Sequence, residues 1–124
     1  MTSTHPTDRP QVSLVIPIRN EAGNIGPLIN EIRASLDEAG FSWEILVIND
    51  GSTDESAYEV ESLLADDSEI HLIHLADGHG KSAALSRGFA SVRGEAVVML
   101  DGDGQDDPAE IPTMLARLGL APDG

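Results

Sequence analysis

Cysteine is absent from the chain. That excludes a disulfide framework, a thiolate metal site and a cysteine nucleophile. Aromatic residues make up only 3%, so the core has to be aliphatic, which suits Val/Ile/Leu strands covered by helices. Basic residues are scarce: 7 Lys and Arg stand against 22 Asp and Glu, for a formal charge of −15. No nucleic-acid partner is expected, because phosphate backbones call for basic patches. No apolar run approaches the length that spans a bilayer. The polar opening from Met1 to Pro10 lacks the apolar stretch of a signal peptide, and the expected compartment is the cytoplasm. There is no Gly-x-Ser-x-Gly elbow of a serine hydrolase. The four histidines (His5, His71, His74 and His79) show no metal-ligand spacing with Cys or Glu.

What is present is a regular alternation of element signals in a chain of 124 residues, a length that fits one domain. Residues 1–10, rich in Thr, Ser and Pro, read as a disordered tail, and residues 11–124 as the domain. Val12 to Pro17 is an apolar strand. From Asn24 to Ala39 the spacing of Ile25, Leu28, Ile29, Ile32 and Leu36 is helical, with Gly40 as C-cap. Trp43 to Ile48 is a second strand, broken at Asn49-Asp50-Gly51-Ser52. A helix is expected from near Asp54, carrying Val60, Leu63 and Leu64 inward. Ile70 to Leu75 is a third strand, with His71 and His74 as strand or edge residues. Lys81 to Val92 is a helix crowded with small residues, and Ala96 to Leu100 a fourth strand, apolar throughout. A last helix runs from Pro108 toward Leu118. The β-α-β-α-β-α-β-α order predicts an α/β fold, a mostly parallel sheet with helices on both faces.

In such sheets ligands bind beyond the carboxyl ends of the strands. Three of the four strands end in polar, acidic or Gly-rich sequence: Arg19-Asn20-Glu21, Asn49-Asp50-Gly51-Ser52 and Asp101-Gly102-Asp103. All three are expected on one edge of the sheet. Two carboxylates one residue apart at the end of an apolar strand are costly to hold together without a cation. Gln105 adds a neutral oxygen, and hard oxygen ligands of this kind suit Mg²⁺ or Mn²⁺. A solvated Asp/Gly turn is the plain alternative. A calcium EF-hand loop fails, because Asp106 stands where Gly is needed and Pro112 where a bidentate Glu is needed. Asp50 can accept hydrogen bonds from a ribose or base, while Ser52, Thr53 or Asp54 can cap the following helix. The plain alternative there is an Asp-Gly turn with a cap. Arg19 can stack on a base or contact phosphate, and Glu21 can accept a base or ribose hydrogen bond; otherwise both belong to a charged surface loop. Gly78-His79-Gly80-Lys81-Ser82 has the look of a phosphate loop opening a helix. The first glycine of a Walker A loop would fall at Leu75, however, so a P-loop NTPase-like domain stands as an alternative. Lys81 is the only lysine, placed either near a diphosphate or on a plain surface.

Four segments in register resemble the family 2 nucleotide-sugar glycosyltransferases: Val15 to Glu21, Glu44 to Asp54, Gly80 to Leu85 with Gly88, and Met99 to Pro108. The likeness covers nearly all of Val12 to Met114. Asp-Gly-Asp-Gly-Gln-Asp-Asp-Pro, followed by Glu110-Ile-Pro, is most similar to the branch of dolichol-phosphate mannose synthases and undecaprenyl-phosphate sugar transferases. The resemblance implies a Rossmann-like nucleotide-diphospho-sugar transferase fold. It implies a donor pocket built from Pro17, Ile18, Arg19, Glu21, Asp50, Gly51, Lys81, Asp101 and Gly102, where the family often has an aromatic at the Arg19 position. It implies a metal held by Asp101, Asp103 and Gln105 on the diphosphate of a UDP- or GDP-sugar. The implied reaction is a single displacement with inversion onto a polyprenyl (dolichyl or undecaprenyl) phosphate, at the inner face of a membrane. Family members are about twice this length or longer. The expectation is therefore a donor-binding N-terminal half, with the acceptor half outside this chain. A donor-binding module without catalysis is the competing reading, and an exposed sheet edge would favour self-association.

Overall fold

The computed structural model describes residues 9–65, 67–75, 80–102 and 106–123. Its elements follow the expected order: β1 (Val12–Ile18), α1 (Ile25–Ala39), β2 (Trp43–Asp50), α2 (Ser56–Leu64), β3 (Ile70–Leu75), α3 (Lys81–Phe89), β4 (Ala96–Met99), a 3-10 turn (Pro108–Glu110) and α4 (Ile111–Arg117). The strands form one parallel sheet in the order β3-β2-β1-β4. Order reverses between β1 and β4, which makes the carboxyl end of β1 the switch point. Of the expected N-terminal tail, residues 1–8 lie outside the described residues. Arg9 is anchored, its Nε donating to the Arg93 carbonyl at 3.0 Å.

The two central strands are buried along their whole length, as strands covered on both faces must be. Their side chains alternate between two apolar layers. Val12, Leu14, Ile16 and Ile18, with Ile45 and Val47, pack under α1, α2 and α4. Val15, Leu46 and Ile48 pack on the other side with Ala84 of α3. The stripe of α1 is Ile25, Leu28, Ile29, Ile32 and Leu36, each burial stabilising by about 1.5–3 kcal/mol. Gly40 ends that helix in the left-handed region, at φ 84°, as expected of a C-cap. The small residues of α3 let it lie close to the sheet: a Cβ on Gly88 would sit 2.5 Å from Val15 Cγ1.

Pro17 lies inside β1, where a missing N–H would ordinarily break the ladder. Gln11 and Val15, of the same parity, accept from Ala96 and Leu100 with their carbonyls. The proline nitrogen therefore faces the β4 side, and pairing with β4 ends at Val15. Its missing donor costs no hydrogen bond, and the strand can carry a rigid residue into the site.

Four features of the fold differ from expectation. First, β2 runs on through Asn49 and Asp50, which pair with His74 and Leu75 of β3, so both polar residues stand on a strand. Second, α2 begins at Ser56, because Asn20, Thr53 and Asp54 are engaged in bridging two loops. Third, α3 stops at Phe89 rather than reaching Val92. The Arg93 N–H is drawn to Glu44 Oε2 at 2.8 Å and the Gly94 N–H to Ser13 Oγ at 2.8 Å. Glu44 is 1% exposed and also accepts from Ser13 Oγ at 2.6 Å and Arg93 Nε at 3.1 Å. A buried carboxylate with this many donors is satisfied, and it pins the start of β4 to β1 and β2. Fourth, β4 is an edge strand whose Val97 and Met99 are 40% and 53% exposed, not the buried strand its composition suggests. Among the described residues no helix is long and apolar enough to cross a membrane.

Candidate functional site

The carboxyl ends of β1, β2 and β4 open onto a pocket of about 300 Å³. Pro17, Ile18, Arg19, Glu21, Asp50, Gly80, Lys81, Asp101 and Gly102 line it. The structure thus brings together eight of the nine residues expected in a donor pocket. Gly51 is not among the lining residues. It follows β2 at φ 74° and shapes the turn that Asn49 Oδ1 closes by accepting from the Ser52 N–H at 3.0 Å. Gly80, part of the Gly-rich loop in the sequence but not among the expected pocket residues, lines the pocket as well. Its place immediately before Lys81 in the Gly-rich loop is the signal that marks it. Asp103 and Gln105, the other expected metal ligands, lie outside the described residues, as do Gly78 and His79 of the phosphate-loop reading.

Asp50 carries the strongest local signal. Its side chain is 4% exposed, its Oδ2 accepts from the Gly80 N–H at 2.9 Å, and its Oδ1 is buried with no partner among the described residues. A buried acceptor left unpaired costs about 1–3 kcal/mol. Asp50 lines the pocket, where a carboxylate is suited to an N–H or O–H brought by a ligand. The same geometry argues against a phosphate-cradling P-loop, in which backbone amides must point at an anion. Here the Gly80 amide already serves a carboxylate, and Lys81 Nζ pairs with Asp101 Oδ1. Both side chains of that pair are about half exposed, so water screens it and its net contribution to stability is small.

Gly102 is buried beneath the β1 loop. A Cβ there would lie 2.7 Å from Ile18 Cγ2 and 3.3 Å from Glu21 Cγ. This position must be glycine for the acidic segment after β4 to lie against the loop after β1. Arg19 is exposed at the rim. Asp106 Oδ2 accepts weakly from the Asp101 N–H at 3.4 Å.

Among the described residues no three His, Asp or Glu side chains converge to hold a metal. Asp101 presents a half-exposed carboxylate to the pocket. One hard anionic oxygen beside open space suits Mg²⁺ or Mn²⁺, which keep several waters and take phosphate oxygens. It does not suit a closed, all-protein cage. The donor chemistry present therefore fits the ion that the Asp101-Gly102-Asp103 pattern implies.

The chain is an α/β protein, a parallel sheet with helices on both faces and a polar pocket at the switch point, the place where such sheets bind ligands. The chain belongs to glycosyl transferase family 2, whose family model matches residues 13–123. It is similar to the undecaprenyl-phosphate 4-deoxy-4-formamido-L-arabinose transferase of Salmonella paratyphi A, at 41% identity over 108 residues, covering 86% of this chain and 33% of that protein. It is similar to the dodecaprenyl-phosphate galacturonate synthase of Rhizobium johnstonii, at 32% identity over 114 residues, covering 91% of this chain and 34% of that protein. The chain thus spans about a third of the length of the curated relatives it matches. Among solved structures it is similar to glucosyl-3-phosphoglycerate synthase of Mycobacterium tuberculosis, in complex with Mn²⁺, UDP and phosphoglyceric acid. There the TM-score is 0.71 at 26% identity, covering 93% of this chain and 40% of that one.

Proposed function

We propose that this chain forms the donor-binding part of a metal-dependent, inverting glycosyltransferase that moves a sugar from a UDP- or GDP-sugar to a polyprenyl phosphate. The observation that carries the reading is a pocket lined by Asp50, whose Oδ1 has no partner among the described residues, and by the more exposed Arg19, Lys81 and Asp101. A nucleoside diphosphate matches that arrangement, with N–H and O–H donors at one end and anionic oxygens at the other. In support, a solved relative carries UDP and Mn²⁺, and two curated relatives are named for polyprenyl-phosphate acceptors.

In this reading Asp50 accepts from the base or ribose, and Glu21 adds a second acceptor on the same limb. Arg19 covers the nucleotide by stacking or by contact with phosphate. Lys81 leaves Asp101 for the diphosphate, and Gly102 keeps the backbone low enough for close approach. Asp101, together with Asp103 and Gln105, would hold the divalent ion. When bound, the ion supplies Lewis-acid neutralisation of the charge that develops on the departing nucleoside diphosphate. The acceptor phosphate is already an anion, so it can attack without a strong general base, and one displacement inverts the sugar carbon. The site of action follows the acceptor, at the inner face of a membrane.

The assignment of Asp101 is tested by Mn²⁺ paramagnetic resonance. Free Mn²⁺ should fall when UDP and the wild-type chain are both present. Asp101→Asn should abolish that nucleotide-linked uptake while leaving the far-ultraviolet spectrum unchanged. Uptake that is unaffected in the variant would remove Asp101 from the metal site.

A further inference from the structure

The loop after β1 is held in place by side chains from the loop after β2 and from α2. Four consecutive backbone N–H groups and one more beyond them are donated across. The Asn20 N–H goes to Ser52 Oγ at 3.0 Å and the Glu21 N–H to Ser56 Oγ at 2.7 Å. The Ala22 N–H goes to Asp54 Oδ2 at 3.2 Å. The Gly23 and Gly26 N–H groups go to Glu59 Oε1 and Oε2, each at 2.7 Å. In return Asn20 Oδ1 accepts from the Thr53 N–H at 2.8 Å and the Asp54 N–H at 3.3 Å. Asn20 adopts φ 57° to do so, a left-handed conformation in which Asn is among the few tolerated non-glycine residues.

These bonds answer needs of the loop. The first N–H groups of a helix have no partner within it, and the residue before α1, Asn24, caps nothing with its side chain. Glu59, one turn into α2, serves as that cap from a different helix. Its negative charge also sits at the positive end of α1. The pocket residues Arg19 and Glu21 lie at the start of this loop.

We infer that Glu59 and Asn20 are positioning residues: they fix the backbone that presents Arg19 and Glu21 to the nucleoside of the donor. This rests on the donor-site reading above. Glu59 lies outside every motif that marks the pocket in the sequence, and it does not line the pocket itself. Its effect is transmitted through the amides of Gly23 and Gly26. Because the loop carries the nucleoside end of the site and Asp101 the diphosphate end, loosening it lowers affinity without changing metal dependence.

Two variants disturb the contact from opposite sides. Glu59→Ala removes the acceptor. Gly26→Ala leaves Glu59 in the chain but sets a Cβ against its carboxylate, while alanine improves the intrinsic helix propensity of α1. Titration calorimetry with UDP and GDP, with and without Mn²⁺, is read beside amide hydrogen exchange of residues 20–26. Each variant is expected to lose roughly tenfold in nucleotide affinity, the effect of about one misplaced charged hydrogen bond. The ratio of affinities with and without Mn²⁺ should stay at the wild-type value, and exchange at Gly23 and Gly26 should rise. Glu59→Gln, which keeps one acceptor oxygen, should fall between. Wild-type affinity in a folded Glu59→Ala chain would overturn the inference and leave the donor reading intact. A folded wild-type chain that binds neither nucleotide would overturn both.

Discussion

At the scale of single residues, the pocket includes a buried carboxylate whose two oxygens are unequally satisfied. This is Asp50, with one oxygen satisfied by Gly80 and the other buried without a partner among the described residues. Asp50→Ala should weaken nucleotide binding by at least about tenfold, as expected for a lost hydrogen bond to a charged group, with a smaller loss of stability because the Gly80 N–H loses its acceptor. Titration of the variant beside a thermal melt checks both halves, and a matched loss of stability and affinity would reduce Asp50 to a structural residue. Asp54 behaves differently. The Ser56 hydroxyl first, and then the backbone N–H groups of Ser56 and Ala22, hold its carboxyl below the ordinary aspartate value. A group whose folded pKa is depressed stabilises fully above its unfolded value of about 3.9, and the effect is lost as pH falls through the lower folded value. The stability gap between wild type and Asp54→Asn in urea should therefore be constant at neutral pH and close below about pH 4. A gap that persists at acid pH would mean the carboxylate charge is not what counts.

At the scale of elements, α3 and β1 meet closely enough to be tested by one methyl group. Gly88→Ala would set its Cβ 2.5 Å from Val15 Cγ1 and 3.4 Å from Ile48 Cγ1. Overpacking of this kind costs about 1–3 kcal/mol, so a fall of that size in urea-unfolding stability is expected, despite the better helix propensity of alanine. A neutral result would show that α3 can lift from the sheet. The elements also show which sequence signals were sufficient. The period of Ile25 to Leu36 and the left-handed Gly40 defined α1 from sequence alone, because an amphipathic stripe and a glycine C-cap are both local. The ends of α3 and β2 were not legible in that way. Arg93 is drawn off α3 by Glu44, a residue 49 positions earlier, and Asn49 and Asp50 join β2 only through pairing with β3. The two exposed side chains of β4 depend on which strand lies at the edge, a property of topology that composition does not carry.

At the scale of the whole molecule, the pocket follows from the order β3-β2-β1-β4. Parallel strands put every carboxyl end on the same side, and the switch between β1 and β4 leaves a crevice there. Sequence reading reached most of the pocket because its residues follow strand ends, where polar runs after apolar ones stand out. It did not reach Glu59, since a carboxylate on a polar helix face looks like any solvated charge. Nor did it separate Ser52 and Asp54 from ordinary helix caps, because bridging two loops needs contacts more than 30 positions apart. The acidic excess is distributed in the same two ways. Asp50 and Glu44 are buried and engaged, whereas most other carboxylates among the described residues are solvated.

The proposed function requires that this chain, by itself, bind a nucleoside diphosphate together with a divalent ion. Calorimetric titration of the purified chain with UDP and with GDP, each with and without Mn²⁺, tests it most directly. Saturable binding of one of the two nucleotides, strengthened by Mn²⁺, is the expected result. A cooperatively folded chain that takes up neither nucleotide, with or without the metal, would contradict it.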